Sequence, residues 1–260
     1  MDWTELTNFA VGLARASEAE ILPYFRRNAA IDVKPHHSWD PVTEGDRAGE
    51  RIIRKLIEER FPDHGINGEE YGIKEGKSGF TWVLDPIDGT RSFVCGMPNW
   101  ATLIALYDEG KPVVGVMNQP FVGEIFYGNP HGAWNNYRGA IEPIRTRTGV
   151  ALAEAAVGTT TPDLYRTEED QRALQNLQKA VRLLRYGGDA YFFSLLAAGH
   201  MDIALDAGMQ AYDIGALIPI IEGAGGVVGS WDGSVPAEGG NIICAGSPAL
   251  LEAAIAVMRS

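Results

Sequence analysis

WVLDPIDGTRSFVCG, residues 82–96, joins an apolar run to two aspartates, a proline and a Gly-Thr pair. The preceding FTWVL pattern is typical of a buried strand, and Pro86 cannot donate to a sheet ladder, which predicts a strand ending near Asp85. Asp85 and Asp88 then project from its carboxyl end. Hard divalent cations such as Mg²⁺ prefer carboxylate and carbonyl oxygens and leave positions free for a phosphate, so this pair is a candidate metal site.

The Gly-Thr pair offers a second candidate feature. Gly89 lets the backbone approach a ligand closely, and Thr90 opens a turn or helix whose free N–H groups could donate to phosphate oxygens. Asp, Pro and Gly are also ordinary turn formers, so on these letters alone a plain turn is equally well supported. The stretch does not fit a calcium loop, whose acids alternate ahead of a glycine and end with a distant glutamate.

Two other segments supply further acids. GINGEEYG carries Glu69 and Glu70 at a glycine-flanked turn about 16 residues upstream of Asp85, close enough to come from a neighbouring strand end. AYDIGALIPIIEGAGG carries Asp213 at the start of an apolar helix with a Gly-Gly stop. Taken alone, an acid at that position is more often an N-cap than a ligand.

Length and composition bound the remaining possibilities. The 260 residues suffice for one domain or two closely packed halves, and 45% hydrophobic content with 31 glycines and 14 prolines is typical of a globular α/β or α+β protein. A net charge of −12 without a basic stripe argues against a nucleic-acid partner. The N-terminus lacks a basic region and no long apolar run occurs, which predicts a soluble cytoplasmic protein without a membrane segment. We interpret Cys95 and Cys244 as buried thiols.

Hydrophobic periodicity predicts amphipathic helices at 3–22 and 44–60. The runs ATLIALY, KPVVGVMNQP, GEIFYG and GAWNN predict an antiparallel meander. Beyond about residue 150, helices and strands alternate, which favours a second α/β layer. We therefore expect an N-terminal α+β half at 1–145 with most of the metal motifs, and a C-terminal α/β half at 146–260 with the substrate pocket and the last metal ligand.

Three motifs taken together resemble one family. GEE at 68–70, DPIDGT at 85–90 and YDIGALIPIIEGAGG at 212–226 are similar, in order and spacing, to the inositol monophosphatase family of Mg²⁺-dependent, lithium-sensitive phosphatases. The agreement runs from VTEGD at 42–46 through the last helix. The third motif begins Tyr-Asp where the family usually has Trp-Asp, and we expect the aromatic packing role to be kept. The resemblance implies a layered α-β-α-β-α sandwich and a homodimer.

The resemblance also implies a role for each matching residue. Asp46 and Thr90 match the pair that orients the attacking water, and the amides of Gly89 and Thr90 match the phosphate cradle. Glu70 matches a neighbour of the ligands or of a third ion. The resemblance implies two or three Mg²⁺ ions per subunit and direct attack of water without a covalent phosphoenzyme. The implied metal ligands are Glu69, Asp85, the carbonyl of Ile87, Asp88 and Asp213.

RYGGDAY, residues 185–191, resembles the histidinol-phosphate phosphatase branch of this family, which implies a role in histidine biosynthesis. Asp189 and Asp206 are candidate partners for the amine or imidazolium of such a substrate, because a carboxylate is the matching acceptor for a desolvated cation. Asp189 is equally a candidate helix N-cap after Gly187-Gly188. Arg185 could reach the phosphate or pair on the surface, and Asn241 could close the pocket.

Two alternatives remain at this stage. The same chemistry could act on inositol-1-phosphate or another small sugar phosphate. A non-catalytic metal-binding scaffold is a remote alternative, since it should lack a ligand or the water-orienting pair, and none of these is missing. The histidines, which include His36 and His37 in a loop, are not expected to take part in catalysis.

Overall fold

The computed structural model describes residues 2–27, 31–33, 41–231 and 236–260. His36 and His37 lie outside the described residues. Within these ranges, none of the helices has the length and apolar character needed to cross a membrane.

Eight α-helices and fifteen strands lie in the described ranges. The helices are α1 (Trp3–Ile21), α2 (Glu44–Arg60), α3 (Thr90–Val94), α4 (Glu168–Ala180), α5 (Asp189–Ala197), α6 (Ala211–Ile214), α7 (Leu217–Gly223) and α8 (Pro248–Met258). The strands are β1 (Ile31–Val33), β2 (Pro41–Thr43), β3 (Gly65–Gly68), β4 (Gly72–Lys74), β5 (Phe80–Asp88), β6 (Ala101–Asp108), β7 (Lys111–Gln119), β8 (Glu124–Asn129), β9 (Gly132–Tyr137), β10 (Ala140–Pro143), β11 (Ala156–Thr159), β12 (Leu183–Tyr186), β13 (Ile203–Gln210), β14 (Val227–Ser230) and β15 (Gly239–Ala245).

The larger sheet has eight strands in the order β10-β9-β8-β7-β6-β5-β3-β4. Its strands β6 to β9 form the predicted antiparallel meander, whereas β3 and β5 run parallel. Apolar side chains of α1 and α2, such as Leu13 and Ile53, are fully buried with Trp82 on one face of this sheet. The amphipathic patterns of both helices therefore point to this face, as their period requires.

The smaller sheet has five strands in the order β12-β11-β13-β15-β14. Side chains alternate along β13, so that Ala204 belongs to the core between the two sheets and Ile203 to the core beneath α4 and α8. Helices α5 and α7 fill the space between the sheets, with Phe193 and Ile220 fully buried there. The layers are thus α1/α2, sheet, α5/α7, sheet and α4/α8, which confirms the predicted five-layer sandwich.

A pair of glycines brings the middle helical layer onto the larger sheet. Gly115 of β7 lies opposite Gly128 of β8. A Cβ atom at Gly115 would collide with the carbonyl group of Ala216, and one at Gly128 would collide with that of Pro219. Because neither side chain is present, the first turn of α7 packs directly on the sheet, and the N-cap residue of this turn, Ala216, lies three residues after Asp213 of α6.

Three expectations from the sequence are wrong in detail. Strand β5 does not end near Asp85 but continues to Asp88, with an irregular register between the two aspartates. The irregularity accommodates Pro86, whose carbonyl oxygen accepts a hydrogen bond from Thr102 Oγ1 at 2.8 Å. The stretch YDIGALIPIIEGAG, expected as one helix, is divided between α6 (Ala211–Ile214) and α7 (Leu217–Gly223), with Gly215 and Ala216 between them. Cys244 is buried as expected, but Cys95 is exposed.

Candidate metal and phosphate site

Parallel pairing of β3 with β5 brings the GEE motif (68–70) next to the DPIDGT motif (85–90). Gly68 lies opposite Leu84, and the amide of Glu69 donates to the Leu84 carbonyl oxygen at 3.1 Å. Glu69 therefore follows the end of β3 directly beside Asp85. The expectation that GEE comes from a neighbouring strand end is confirmed.

The third motif completes an acidic cluster. Asp85, Asp88 and Asp213 each offer a carboxylate oxygen, and these three oxygens lie within 4.8 Å of one another. Glu69 and Ile87 line the same cavity. Asp213 lies in the first turn of α6, where its Oδ2 accepts from the amide of Gln210 at 2.7 Å. It is thus not the N-cap residue, which is Gln210.

The donor set fits a hard divalent cation. Asp85 is buried, and its Oδ1 has no hydrogen-bond partner among the described residues. An unsatisfied buried carboxylate oxygen is costly, and here it lies among other carboxylates that cannot donate to it when ionised. Four carboxyl groups and a peptide carbonyl form an all-oxygen set of the kind that Mg²⁺ prefers.

Electrostatics gives the same indication. Burial, together with repulsion from Glu69, Asp88 and Asp213, raises the pKa of Asp85 well above its ordinary value. Burial and repulsion from Asp189 and Asp213 raise the pKa of Asp88 in the same direction. Positive charge in the cluster would oppose both shifts. The metal-free cluster therefore destabilises the fold, and a bound cation would reduce this destabilisation.

Backbone groups hold Asp88 and the following turn. Asp88 Oδ2 accepts from the amide of Ala190, at the start of α5, at 2.8 Å. Gly89 has a φ of 78°, in the left-handed region that glycine adopts without strain, and a Cβ there would lie 3.0 Å from Asp189 Oδ2. Thr90 begins α3, and its Oγ1 donates to the Ile87 carbonyl oxygen at 2.9 Å. Gly89 and Thr90 both line the cavity.

Asp46, a predicted catalytic residue, is not among the residues that line the cavity. It is buried at the start of α2, and its Oδ2 accepts from Thr43 through the amide at 2.7 Å and the hydroxyl at 2.6 Å. Burial raises the pKa of Asp46 to about 7, and the hydrogen bonds from Thr43 oppose this rise. Glu70 and Glu69 add repulsion, so Asp46 is electrostatically part of the acidic cluster.

The cavity has a volume of about 240 Å³ and reaches from the acids to residues of the smaller sheet. Asp206 lines its far wall. Its Oδ1 accepts from Thr159 Oγ1 and the Thr160 amide, and its Oδ2 accepts from Thr160 Oγ1, each at 2.7 Å. Burial raises the pKa of Asp206 to about 6 despite these three donors. Leu164 and Met209 add apolar surface to the same wall.

Asp189 joins segments that are distant in sequence. Its Oδ2 accepts from Ser92 Oγ at 2.9 Å and from Asn99 Nδ2 at 2.7 Å. The N-cap of α5 is Gly188, so the N-cap interpretation of Asp189 is wrong. Burial raises the pKa of Asp189, while the Ser92 hydrogen bond and the charge of Arg91 lower it. Asp189 still lines the cavity.

Two predicted substrate contacts are not brought to the cavity wall. Arg185 lies exposed on the edge strand β12. Asn241 lies behind Gly208, whose amide donates to Asn241 Oδ1 at 3.1 Å, and its own Nδ2 donates to Asp170 at 3.1 Å. Asn241 therefore supports the wall from outside.

Sequence reasoning missed several cavity residues. Arg91 directly follows DPIDGT and could have been found from that position, because a cation beside a phosphate cradle is chemically meaningful. Leu164 and Met209 carry no such signal, since a single apolar residue in a turn or strand is ordinary. The missed lining residues are Arg91, Thr160, Leu164, Ala190, Ala207, Gly208 and Met209.

Comparison with known proteins identifies related chains. The sequence model of the inositol monophosphatase family matches residues 2–260. The chain is 40% identical to the bifunctional phosphatase IMPL2 of Arabidopsis thaliana over 88% of its own length and 66% of that relative's. It is 35% identical to a histidinol-phosphatase of Chlorobaculum parvum, over 84% of this chain and 82% of that one. An inositol monophosphatase structure from Zymomonas mobilis superposes with a TM-score of 0.88 at 36% identity, covering both chains fully.

Proposed function

Because the chain belongs to the inositol monophosphatase family of phosphatases, we propose that it hydrolyses L-histidinol phosphate to L-histidinol and inorganic phosphate, a reaction of histidine biosynthesis. Enzymes of this family use Mg²⁺, and the acidic cluster of Asp85, Asp88 and Asp213 has the donor atoms for it. Within the proposal the protein is a cytoplasmic homodimer with two or three Mg²⁺ ions per subunit. The division into halves at 1–145 and 146–260 is part of the same proposal.

The residues of the far wall of the cavity support L-histidinol phosphate as the substrate. Asp206 and Asp189 supply negative charge, while Leu164 and Met209 supply apolar surface beside it. An imidazole ring with a nearby amine has a flat apolar body and a positive charge, which suits such a wall. An inositol ring carries hydroxyl groups around its rim, and apolar side chains would leave some of them without partners. The relative from Chlorobaculum parvum adds support through its name, histidinol-phosphatase.

Roles follow for the residues around the phosphate. We assign metal binding to Glu69, Asp85, the Ile87 carbonyl, Asp88 and Asp213. Mg²⁺ held by these residues would supply positive charge for the phosphoryl group and would lower the pKa of a water. In the proposal Thr90 and Asp46 orient the attacking water: Thr90 lines the cavity, and Asp46 lies outside the lining at the start of α2, where the charges of Glu69 and Glu70 act on it.

The bond changes balance without a covalent intermediate. A bond forms between the water oxygen and phosphorus while the ester P–O bond breaks. One proton of the water stays on the inorganic phosphate, and the other ends on the departing alkoxide, which leaves as the alcohol. The amides of Gly89 and Thr90 donate to nonbridging phosphate oxygens, where negative charge is concentrated. Asp189 and Asp206 orient the leaving alcohol through its positive charge.

The second candidate is inositol-1-monophosphatase activity. The Zymomonas mobilis inositol monophosphatase shares 36% sequence identity and the whole fold with this chain, which favours this alternative.

Phosphate release measured in parallel separates the two candidates. With Mg²⁺, we expect kcat/KM for L-histidinol phosphate to exceed that for inositol-1-phosphate by about 10- to 100-fold, since a hydrogen bond to a charged group contributes about 1.5–3 kcal/mol. Asp206→Asn is the matched variant, because it keeps the size of the side chain and should lose most of the preference. A wide preference for inositol-1-phosphate would overturn the substrate and leave the phosphatase assignment intact.

A further inference from the structure

A buried acid on α2 holds the loop that carries Glu69 and Glu70. The side chain of Glu50 is fully buried and does not belong to the cavity lining. Its Oε2 accepts from the amide of Glu70 at 2.8 Å, and its Oε1 accepts from the amide of Tyr71 at 3.2 Å. The same Oε1 accepts from Arg54 Nε at 2.7 Å. Two consecutive backbone amides that follow Glu69 are thus fixed by one carboxylate.

The remaining contacts close around this carboxylate. Arg54 Nη2 donates to the carbonyl oxygen of Gly72, at the far end of the loop. Gly68 borders Glu50 on the near side, where a Cβ atom would collide with the Glu50 carboxyl group. The segment from Gly68 to Gly72 therefore wraps around the Glu50–Arg54 pair and touches it on both sides of Glu69.

Burial of an ionised carboxylate costs free energy that only close partners offset. An apolar residue of similar size could fill the space beneath the loop, but it could not accept from the amides of Glu70 and Tyr71. In this space, only a carboxylate or the side-chain amide of Gln or Asn can offer an oxygen acceptor to these two backbone N–H groups. The Glu50–Arg54 pair is therefore suited to hydrogen bonding with the loop more than to the packing of α2.

We propose that Glu50, paired with Arg54, is a positioning residue that presets the Glu69 carboxylate for cation binding. The proposal rests on the metal role assigned to Glu69 under the proposed function. Glu50 is not proposed as a ligand, because it does not line the cavity and its carboxylate faces the loop amides and Arg54. It acts on the cation only through the loop backbone.

Glu50→Gln tests the proposal with little change in size. One of the two oxygens becomes an NH₂ group that faces an N–H donor, so part of the loop loses its acceptor. Isothermal titration calorimetry of metal-free Glu50→Gln with MgCl₂ should show Mg²⁺ binding about 10-fold weaker than in the wild type. This factor is the lower end of the loss that is typical when a partner of a metal ligand is removed. The Mg²⁺ concentration for half-maximal phosphate release should rise by the same factor, whereas kcat at saturating Mg²⁺ should change far less.

Asp202 provides a matched control. Its side chain is fully buried, pairs with Arg147 at 2.6 and 2.8 Å, and accepts from the amide of Ala156 at 2.7 Å, but it supports the smaller sheet. Asp202→Asn should lower the melting temperature as Glu50→Gln does and leave Mg²⁺ affinity at the wild-type value. A purely structural role for Glu50 predicts the same behaviour for both variants.

Arg54→Gln keeps the test decisive if Glu50→Gln does not fold. It removes the contacts with Glu50 and Gly72, and Mg²⁺ binding should weaken in the same direction by a smaller factor. Wild-type affinity in the variants at position 50 or 54, or equal weakening in Asp202→Asn, overturns the role of Glu50. Wild-type protein that binds no Mg²⁺ refutes the proposed function itself, which is a different result.

Discussion

Asp206→Asn should change how the stability of the metal-free protein depends on pH. Asp206 is 5% exposed, and its two oxygens accept three hydrogen bonds from Thr159 and Thr160. An asparagine keeps the Oδ1 acceptor, and the Thr160 hydroxyl can rotate to accept from the new amide. The substitution therefore removes a titratable group while it preserves the size and the hydrogen-bonding pattern.

The pKa of Asp206 gives the magnitude and the sign. Burial raises this pKa from 3.8 to about 6, so between these values the folded state holds a proton that the unfolded state releases. The stabilisation from that proton is complete below about pH 4 and is lost as the pH rises through 6. A shift of about two units corresponds to about 3 kcal/mol. The free energy of unfolding of the wild type should fall by about 3 kcal/mol relative to Asp206→Asn between pH 4 and pH 7.

Urea unfolding in the presence of a chelator, from pH 4 to pH 8, measures this difference. Asp163→Asn is the control, because it makes the same change at an exposed aspartate in a neighbouring turn, and it should follow the wild-type curve. Parallel pH profiles for the wild type and Asp206→Asn would refute the reasoning. A difference that grows as the pH falls, in favour of the variant, would show that the sign is wrong.

Three further outcomes are expected. Asp85→Asn should lower kcat/KM at least about 1,000-fold, because a bound cation contributes several kcal/mol to the transition state, and it should reduce the rise in melting temperature with Mg²⁺; retained turnover would contradict the metal assignment. Burial and repulsion raise the pKa of Asp85 and Asp88, so the metal-free protein should be more stable at pH 5 than at pH 8, and Mg²⁺ should diminish this difference in thermal melts. Gly115→Ala should destabilise the fold by about 1–3 kcal/mol in urea titrations and weaken Mg²⁺ binding, because the new methyl group meets the Ala216 carbonyl. The control variant Gly12→Ala, which has open space around it, should be neutral or slightly stabilising.

Local patterns predicted the first two helices well. The expected helix at 44–60 agrees with α2, Glu44–Arg60, because its apolar stripe is strong and Thr43 and Asp46 form a capping box at its start. Tyr212, in place of the family's usual tryptophan, packs against the core between the sheets as expected. The five layers came from the family resemblance, since periodicity alone does not say which faces meet.

Other features depend on contacts that no local pattern encodes. The passage of β5 through Pro86 needs the Thr102 hydroxyl of the neighbouring strand, and the bonds from Ser92 and Asn99 to Asp189 join segments about 90 residues apart. Exposure of Cys95 follows from its place just after α3, which composition does not reveal. The roles of the site residues and the boundary at 145/146 stay predictions.

The Asp88 carboxylate and the Ala190 amide that binds it are 102 residues apart in the chain. Contacts of such long range form late in folding, because closing the loop costs entropy before the contact contributes anything. We expect the repulsion between Asp88 and Asp213, which are also distant in the chain, to arise equally late and to be weak in the transition state. It should accelerate unfolding and leave the folding rate nearly unchanged, so Mg²⁺ should act on the lifetime of the native protein rather than on the speed of its formation.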